Sequence, residues 1–199
     1  MKKLFLVSVV SLILATNAIS VSYNSDPKIF ISELVNDAVK TLSDNSLPEE
    51  KKKETIKRIA LENVDIKALG LYTLGGIRKN LSPEDLEKYN GLFRDYLLKS
   101  LTSRLSEYSS QKFIVIESEQ KSSNITIVKS KVEASDSKPE LNVEWRVYTK
   151  DPLKPLIRDL IVEGLSLART QKEEFASILN SNNNDINVLF TKLEEFISK

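Results

Sequence analysis

The chain has 199 residues, of which 41% are hydrophobic and 29% are charged, a balance typical of one globular domain with an apolar core. Its 29 basic and 28 acidic residues give a formal net charge of +1, so it lacks the basic excess of a nucleic-acid-binding protein. Cysteine and histidine are both absent, which excludes disulfide bonds, Ser-His and Cys-His nucleophile pairs, and the commonest transition-metal ligand.

The first 20 residues have the features of a secretory signal peptide. Met1-Lys2-Lys3 precedes an apolar run over residues 4–14, which is shorter than the roughly 20 residues of a bilayer span. Ala18 and Ser20 have the spacing of a cleavage site after residue 20, and cleavage after Ala18 is the alternative. We therefore expect a mature domain over residues 21–199, exported from the cytoplasm, rather than a buried first helix. Without a cysteine after the cleavage site, it is expected to be soluble and not lipid-anchored.

Two proline-led helix starts open this domain. Asp26-Pro27 predicts a helix over residues 27–43, because aspartate can cap it and proline suits its first turn. Its apolar residues fall on one face: Ile31, Leu34, Val35, Ala38 and Leu42. Ser46-Leu47-Pro48-Glu49 has the pattern of a capping box and predicts a second helix to about residue 63. The basic residues of that helix follow two glutamates and are interpreted as a solvated face: Lys51, Lys52, Lys53, Lys57 and Arg58.

Two further helices follow. Asp65 is placed to cap a third helix that ends near Gly75-Gly76. Ser82-Pro83 predicts the start of the longest helix, over about residues 83–109. The apolar residues of this helix keep three- and four-residue spacing: Leu86, Tyr89, Phe93, Leu97, Leu101, Leu105 and Tyr108.

From Lys112 the apolar period changes to two, which predicts four strands over residues 113–116, 125–132, 141–148 and 156–162. Short turns between them favour an antiparallel meander. Two helices, about 170–180 and 186–198, close the chain. The predicted class is α+β, with a helical N-terminal half, a curved four-stranded sheet and two C-terminal helices around a concave apolar space.

A strand-to-helix passage near the C-terminus carries the most distinctive motif. Asp159 begins the string Asp-x-x-Val-Glu-Gly-x-Ser-Leu, and Phe175 follows it eight residues later. By itself Gly164 predicts only a turn. The string as a whole resembles the C-terminal signature of the MlaC family, also called toluene-tolerance auxiliary proteins. The resemblance extends over about residues 26–197 through shorter segments: Asp26-Pro27 with Phe30, Val64-Asp65-Ile66, Leu74-Gly75 with Arg78, Ser82-Pro83-Glu84, Phe93, and Arg104-Leu105 with Tyr108.

The chain departs from the family pattern at three places. Ile77 stands where an aromatic residue is frequent, Pro155-Leu156 replaces Trp-Lys, and Asn184 replaces a glycine before the last helix. The asparagine is a mild change because this residue tolerates a left-handed backbone. The departures bear on the pocket mouth and the partner contacts more than on the fold.

The resemblance implies a nuclear-transport-factor-like or cystatin-like fold that binds the acyl chains of a phospholipid. It further implies a soluble periplasmic carrier that shuttles lipid between an outer-membrane lipoprotein–porin complex and an inner-membrane ABC transporter, and so maintains outer-membrane lipid asymmetry. Diacyl phospholipid is then cargo, and no cofactor, metal, nucleic acid or catalytic residue is expected. Two chains of about 16 carbons exposed to water would cost on the order of 25 kcal/mol, so such a carrier needs a deep apolar slot.

We expect this slot between the inward face of the sheet and the long helix that covers it, with Arg78 near its mouth. The predicted lipid-binding residues are Leu74, Phe93, Leu97, Leu101, Ile127, Val143, Trp145, Val147, Val162 and Leu167. For several of them ordinary core packing is an open alternative, and for Arg78 a surface charge is the favoured interpretation beside a place at the mouth.

Two other functions stay open on the sequence alone. One is a periplasmic chaperone or adaptor whose apolar groove holds peptide. The other is an enzyme that uses Asp159 and Glu163 as acid and base, which requires burial to shift their pKa values.

Overall fold

The computed structural model describes residues 22–105, 112–135 and 138–199, with the side chains of residues 104 and 105 excepted. The expected signal peptide, Tyr108 and the Asp136-Ser137 turn lie outside the described residues. The predicted α+β class is confirmed. The helices are α1 (Pro27–Ser43), α2 (Glu49–Asn63), α3 (Ile66–Thr73), α4 (Pro83–Leu105), α5 (Leu167–Asn180) and α6 (Ile186–Ser198), with a 3-10 turn at Ile77–Lys79. The strands are β1 (Phe113–Ser122), β2 (Ile125–Val132), β3 (Leu141–Tyr148), β4 (Leu156–Val162) and β5 (Leu165–Ser166).

Side-chain caps fix most of the predicted helix starts. The Asp26 carboxylate accepts hydrogen bonds from the amides of Lys28 and Ile29, and Asp65 accepts one from Ala68 at 3.2 Å. These bonds satisfy amide groups that the first helical turn leaves without partners. The starts of α1 and α3 therefore follow directly from the sequence pattern.

The predicted capping box of α2 is wrong. Pro48 occupies the N-cap position and makes no side-chain capping bond. The Ser46 hydroxyl instead donates to the Asp44 carboxylate at 2.6 Å, and the Ser46 amide donates to the same oxygen at 2.8 Å. These hydrogen bonds lower the pKa of Asp44. The serine is engaged by the preceding turn, so it is not available to the helix.

The sheet is a five-stranded antiparallel meander in the order β1-β2-β3-β4-β5, one strand more than predicted. The extra strand pairs only Leu165 and Ser166 with the end of β4. Its turn consists of Glu163 (φ 48°) and Gly164 (φ 79°). Two positive φ values are what the type I′ turn of a two-residue hairpin requires. β1 also runs six residues past its predicted end at residue 116, because Glu117–Ser122 pair with β2 without apolar alternation.

A bulge in β4 decides which residues face each side of the sheet. Arg146 pairs with Asp159 while the next residue, Val147, pairs with Ile157, so Arg158 is the inserted residue. Ile157 and Leu160 therefore share one face although they are three residues apart. Asp159 lies on the opposite face with Arg146.

The helices α1 and α2 cover the first of these faces. The buried residues there form what we call the sheet cluster: Phe30, Ile31, Leu34, Val35, Ile56, Ile59, Val128, Val132, Val143, Trp145, Val147 and Ile157. Partly buried neighbours, among them Leu42, Phe113, Leu160 and Val162, pack against it. Within it the Trp145 indole N–H donates to the Ser130 hydroxyl at 2.8 Å, which in turn donates to the Val143 carbonyl at 3.0 Å. This polar chain in the apolar layer is thus internally satisfied.

The helices α3, α4, α5 and α6 enclose a second apolar region, the helix cluster. Its buried residues are Leu74, Tyr89, Phe93, Phe175, Leu179, Ile186, Leu189, Phe190 and Leu193. Tyr89 and Phe93 stack with ring centroids 5.7 Å apart, and Phe175 meets both edge-on. Tyr89 and Thr73 share a buried hydrogen bond of 2.7 Å, and burial raises the pKa of the tyrosine. Interlocked rings around a satisfied polar pair are typical of a closed core.

The packing of Gly70 against Phe93 gives the first testable prediction. A Cβ at Gly70 would lie 3.0 Å from Phe93 Cδ1, and the ring is held by Tyr89 and Phe175. Gly70→Ala should therefore lower the free energy of unfolding by about 1 kcal/mol, since overpacking outweighs the gain in helix propensity. Gly91→Ala in α4 meets nothing within 4 Å and should raise it by about 0.5–1 kcal/mol. Urea denaturation measures both changes, and shifts of the same sign would contradict the packing assigned to Gly70.

Candidate functional site

The Asp159 carboxylate connects the sheet to the C-terminal helices. It is 3% exposed and accepts hydrogen bonds from the Ser166 hydroxyl at 2.6 Å and the Ala168 amide at 3.0 Å. The Ser166 oxygen also caps α5 by accepting from the Arg169 amide at 3.0 Å. Arg146 Nη1 lies 3.8 Å from the carboxylate and supplies the opposite charge that a buried anion needs. The spacing between Asp159 and Ser166 in the motif therefore corresponds to the end of β4, the hairpin turn and the cap of α5.

The other carboxylate of the motif also has a structural role. The Asn142 amide donates to the Glu163 side chain, and the Glu163 amide donates to the Asn142 carbonyl at 3.0 Å. These bonds hold the β4–β5 turn against the start of β3. Asp159 and Glu163, the two residues considered as acid and base, thus both organise backbone in this structure.

Arg158, the inserted residue of the bulge, ties α3 to the sheet. Its guanidinium contacts the Asp65 carboxylate at 2.7 and 2.8 Å and lies 3.3 Å from the centroid of the Tyr148 ring. The Asp65 amide donates to the Ile157 carbonyl at 2.9 Å, and Val64 forms a parallel bridge with Ile157. Since Asp65 also caps α3, one side chain positions both the helix and the edge of β4.

A cavity of about 240 Å³ lies where the end of α1, the start of α2 and the end of α4 meet. It is lined by Leu42, Glu49, Lys52, Lys53, Ile56, Thr102 and Ser103. Ile56 belongs to the sheet cluster and Leu42 packs against it, so the apolar wall of the cavity is continuous with the interior on the sheet. Its volume is below the roughly 300–1,000 Å³ of typical ligand pockets.

Lys52 corrects the interpretation of the α2 basic residues as a solvated face. It is only 7% exposed, whereas Lys51 and Lys53 on either side are exposed. It lies one turn before Ile56 on the buried side of the helix, and its ammonium group is 3.1 Å from Glu49 Oε1. The cavity therefore has a cationic wall as well as an apolar one.

Comparison with known proteins identifies the family. Residues 32–195 match the sequence model of the family described as MlaC protein. The chain belongs to the MlaC family. A solved structure of a phospholipid-binding protein from Ralstonia solanacearum in complex with a phospholipid has the same fold, with a TM-score of 0.70. That protein is 18% identical, and the match covers 84% of this chain and 94% of the other.

The described part of the chain lacks two kinds of feature. No helix within residues 22–105, 112–135 and 138–199 is long and apolar enough to cross a membrane. In the same ranges, no three His, Cys, Asp or Glu residues are grouped as a metal site requires.

The predicted lipid-binding residues of this MlaC protein do not form one group. Val143, Trp145, Val147 and Val162 lie together in or against the sheet cluster. Leu74, Phe93 and Leu97 lie in or against the helix cluster. Ile127 is buried on the sheet face opposite to its neighbour Val128, Leu101 is half-buried on α4, and Leu167 is 41% exposed. The role of each in binding lipid stays a prediction.

Within the described residues, Phe93 and Leu97 of the long helix do not cover the sheet cluster as expected. The helical residues of the sheet cluster come from α1 and α2, while Phe93 of α4 packs among α3, α5 and α6. The apolar spacing of α4 signals burial but does not say against what. α1 carries an equally clear stripe through Ile31, Leu34 and Val35, which could have identified the covering helix.

Arg78 lies beside the C-terminal end of α3. Its Nη1 donates to the carbonyl oxygen of Leu71, in the last turn of the helix, at 3.2 Å. It also donates to the carbonyl oxygen of Gly75, just beyond the helix, at 2.5 Å. It is exposed and does not line the cavity. Its proposed contact with a headgroup stays a prediction, beside this structural role.

The Asp159–Ser166 junction yields the second prediction. Asp159→Asn should lower the free energy of unfolding by about 1.5–3 kcal/mol, because it weakens two hydrogen bonds to a buried charge. Ser166→Ala should lower it by about 1–2 kcal/mol through loss of the α5 cap. Because the two side chains are bonded to each other, the double variant should lose less than the sum, by at least about 0.5 kcal/mol.

Chemical denaturation of the four proteins in this cycle supplies the measurement. Glu173→Gln, on an exposed position of α5, is the matched control and should change stability by less than about 0.5 kcal/mol. Strict additivity of the two single changes would show that the carboxylate and the hydroxyl act independently.

Proposed function

We propose that this protein is a periplasmic phospholipid carrier that shuttles lipid between an outer-membrane lipoprotein–porin complex and an inner-membrane ABC transporter, and so maintains outer-membrane lipid asymmetry. Membership of the MlaC family over residues 32–195 is the observation that carries the proposal. The Ralstonia solanacearum protein of the same fold, whose structure contains a phospholipid, supports the choice of cargo. The pattern of a signal peptide in residues 1–20 supports the compartment.

We assign the acyl chains to the sheet cluster. Its apolar layer reaches the cavity through Ile56 and Leu42, so a chain that enters there passes from these two residues onto a largely apolar surface between the helices and the sheet. The cavity of about 240 Å³ is too small for a whole phospholipid. In the proposed loading step α1 and α2 separate from the sheet, and lipid hydrocarbon replaces protein contacts.

The helix cluster is a poorer seat for the acyl chains. Opening it would separate the stacked rings of Tyr89 and Phe93. It would also break the hydrogen bond between the Thr73 and Tyr89 hydroxyl groups and leave neither water nor protein to replace it. A buried polar group that loses its partner costs about 1–3 kcal/mol, which hydrocarbon cannot restore. The polar pair of the sheet cluster, Trp145 and Ser130, is bonded within the sheet itself and survives a retreat of the helices.

The third prediction concerns the cargo. Protein expressed with its export signal and purified without detergent should carry diacyl phospholipid with little headgroup selectivity, because the apolar layer recognises chains. Native mass spectrometry followed by organic extraction identifies what is bound. Recovery of peptide in place of lipid would favour the chaperone alternative, and protein that also takes no phospholipid from vesicles would contradict the carrier.

The fourth prediction tests the assignment to the sheet. Val143 is 7% exposed in the sheet cluster, and Val143→Asp would place an ionised group against the acyl chains. The cost of several kcal/mol should reduce bound phospholipid more than tenfold, as measured by extraction. The helical circular-dichroism signal and a cooperative melt should persist, because water can follow the carboxylate into a slot that opens.

Glu144→Asp is the matched control, since the Glu144 side chain lies on the opposite face of β3. The protein with this change should keep its lipid. A Val143→Asp protein that does not fold would show that Val143 belongs to a closed core and does not line a slot. One that folds and retains full lipid would place the acyl chains away from the sheet.

A further inference from the structure

We propose that the cavity between α1, α2 and α4 is the seat of the lipid phosphate, and that the ammonium group of Lys52 binds it. The inference rests on the proposed function, which it deepens by assigning the anionic part of the cargo to a particular side chain. It differs from the expectation for Arg78, which lies at the end of α3.

The two walls of the cavity match the two parts of a phospholipid. On one side Leu42 and Ile56 continue into the sheet cluster, the proposed seat of the chains. On the other side Lys52 and Lys53 contribute two positive charges. A phospholipid has the same order, because its chains join through glycerol to an anionic phosphate. With the chains in the apolar layer, the phosphate would reach the lysines without leaving the cavity.

The burial of Lys52 is the observation that singles it out. Lysine is rarely buried without a compensating charge, and this one is 7% exposed. Its ion-pair partner Glu49 has a side chain that is 71% exposed and therefore well solvated. Of the three protons on the ammonium group, this contact uses one. Lys52 thus presents a desolvated cation with donor capacity at the end of the apolar layer, where a phosphate oxygen gains most from it.

The other polar groups on the cavity wall are less suited to bind phosphate. The Thr102 hydroxyl donates to the Leu98 carbonyl at 3.0 Å, and the Ser103 hydroxyl donates to the Lys99 carbonyl at 2.9 Å. Both protons are therefore held by α4. Glu49 is a negative charge that competes with phosphate for Lys52. The charge of Asp44 also interacts with Lys52, but this carboxylate is engaged mainly by Ser46.

A competition experiment separates the phosphate seat from chain binding. Delipidated protein is incubated with mixed vesicles of dioleoyl phosphatidylglycerol and dioleoylglycerol, which carry the same chains with and without phosphate. Bound lipid is then extracted and quantified. Wild-type protein should prefer the phospholipid by about tenfold, the value expected for one charge-assisted hydrogen bond. Lys52→Met, which keeps the length of the side chain, should bring the ratio close to that of the vesicles and leave dioleoylglycerol bound.

Three variants control the result. Lys51→Met removes an exposed neighbouring lysine that pairs with Glu54, and should keep the wild-type preference. Lys52→Arg retains the positive charge and should keep most of the wild-type preference for phospholipid. Glu49→Gln removes the competing carboxylate and should raise the preference above wild type, which a purely structural role of Lys52 does not predict.

The outcomes distinguish the two proposals. If neither lipid binds to the wild-type protein, the carrier function fails. If both lipids bind and Lys52→Met keeps the wild-type preference, the carrier stands and the phosphate seat is overturned. Inorganic phosphate is tested on delipidated protein by calorimetry, because a free anion has no chains to anchor it. Inorganic phosphate binding that Lys52→Met abolishes, with phospholipid binding unchanged, would also overturn the headgroup assignment.

Discussion

The bulge at Arg158 in β4 is the constraint on which the rest of the structure depends. One inserted residue lets Ile157 and Leu160 face the sheet cluster while Asp159 faces the other side. Arg158 itself then fixes α3 through Asp65, and Asp159 fixes α5 through its hydrogen bonds. A regular strand would place Leu160 and Ile157 on opposite faces and break one of these connections. Seven residues of β4 thus hold both apolar clusters in a fixed relation.

This arrangement fits the proposed loading step, in which the sheet cluster opens while the helix cluster stays closed. The polar connections of β4 run to α3 and α5, which belong to the helix cluster. α1 and α2 contact the sheet mainly through apolar side chains, whose interactions have no fixed direction and can be exchanged for lipid hydrocarbon. The Lys28 ammonium of α1 also donates an exposed hydrogen bond to the Ile116 carbonyl of β1 at 2.7 Å, where water can replace it. Directional bonds therefore hold the half that must keep its shape. The cavity lies at the border of the other half.

Local signals in the sequence predicted most helices and strands, but they predicted few of the elements against which each one packs. Asp26, Asp65 and Ser82 marked their helices correctly because capping is a contact within one turn. β5 and the polar end of β1 escaped prediction because they depend on pairing with another strand rather than on their own apolar period. The placement of α4 failed for a related reason, since an apolar stripe reports that a face is buried and not which partner buries it.

The site shows the same division. Val143, Trp145 and Val147 were placed on one face by alternation, and they do share the sheet cluster. Lys52 was misjudged because a run of lysines after glutamates has the composition of a solvent-exposed surface. Only its position one turn before Ile56 signalled burial, and that signal is weaker than the charge pattern around it. Composition described the helix surface on average and missed the burial of Lys52.

The proposed cargo is consistent with the small volume of the cavity between α1, α2 and α4. Two acyl chains are worth on the order of 25 kcal/mol against water, more than the roughly 5–15 kcal/mol that stabilises a domain. An empty slot of full size would expose much of that apolar surface, so the protein is more stable when α1 and α2 close on the sheet. A bilayer buries the same chains equally well, so transfer between membrane and carrier is nearly balanced in hydrophobic free energy. The carrier then contributes mainly a path that avoids water, and small terms such as one charge at the cavity mouth can decide which lipids remain bound.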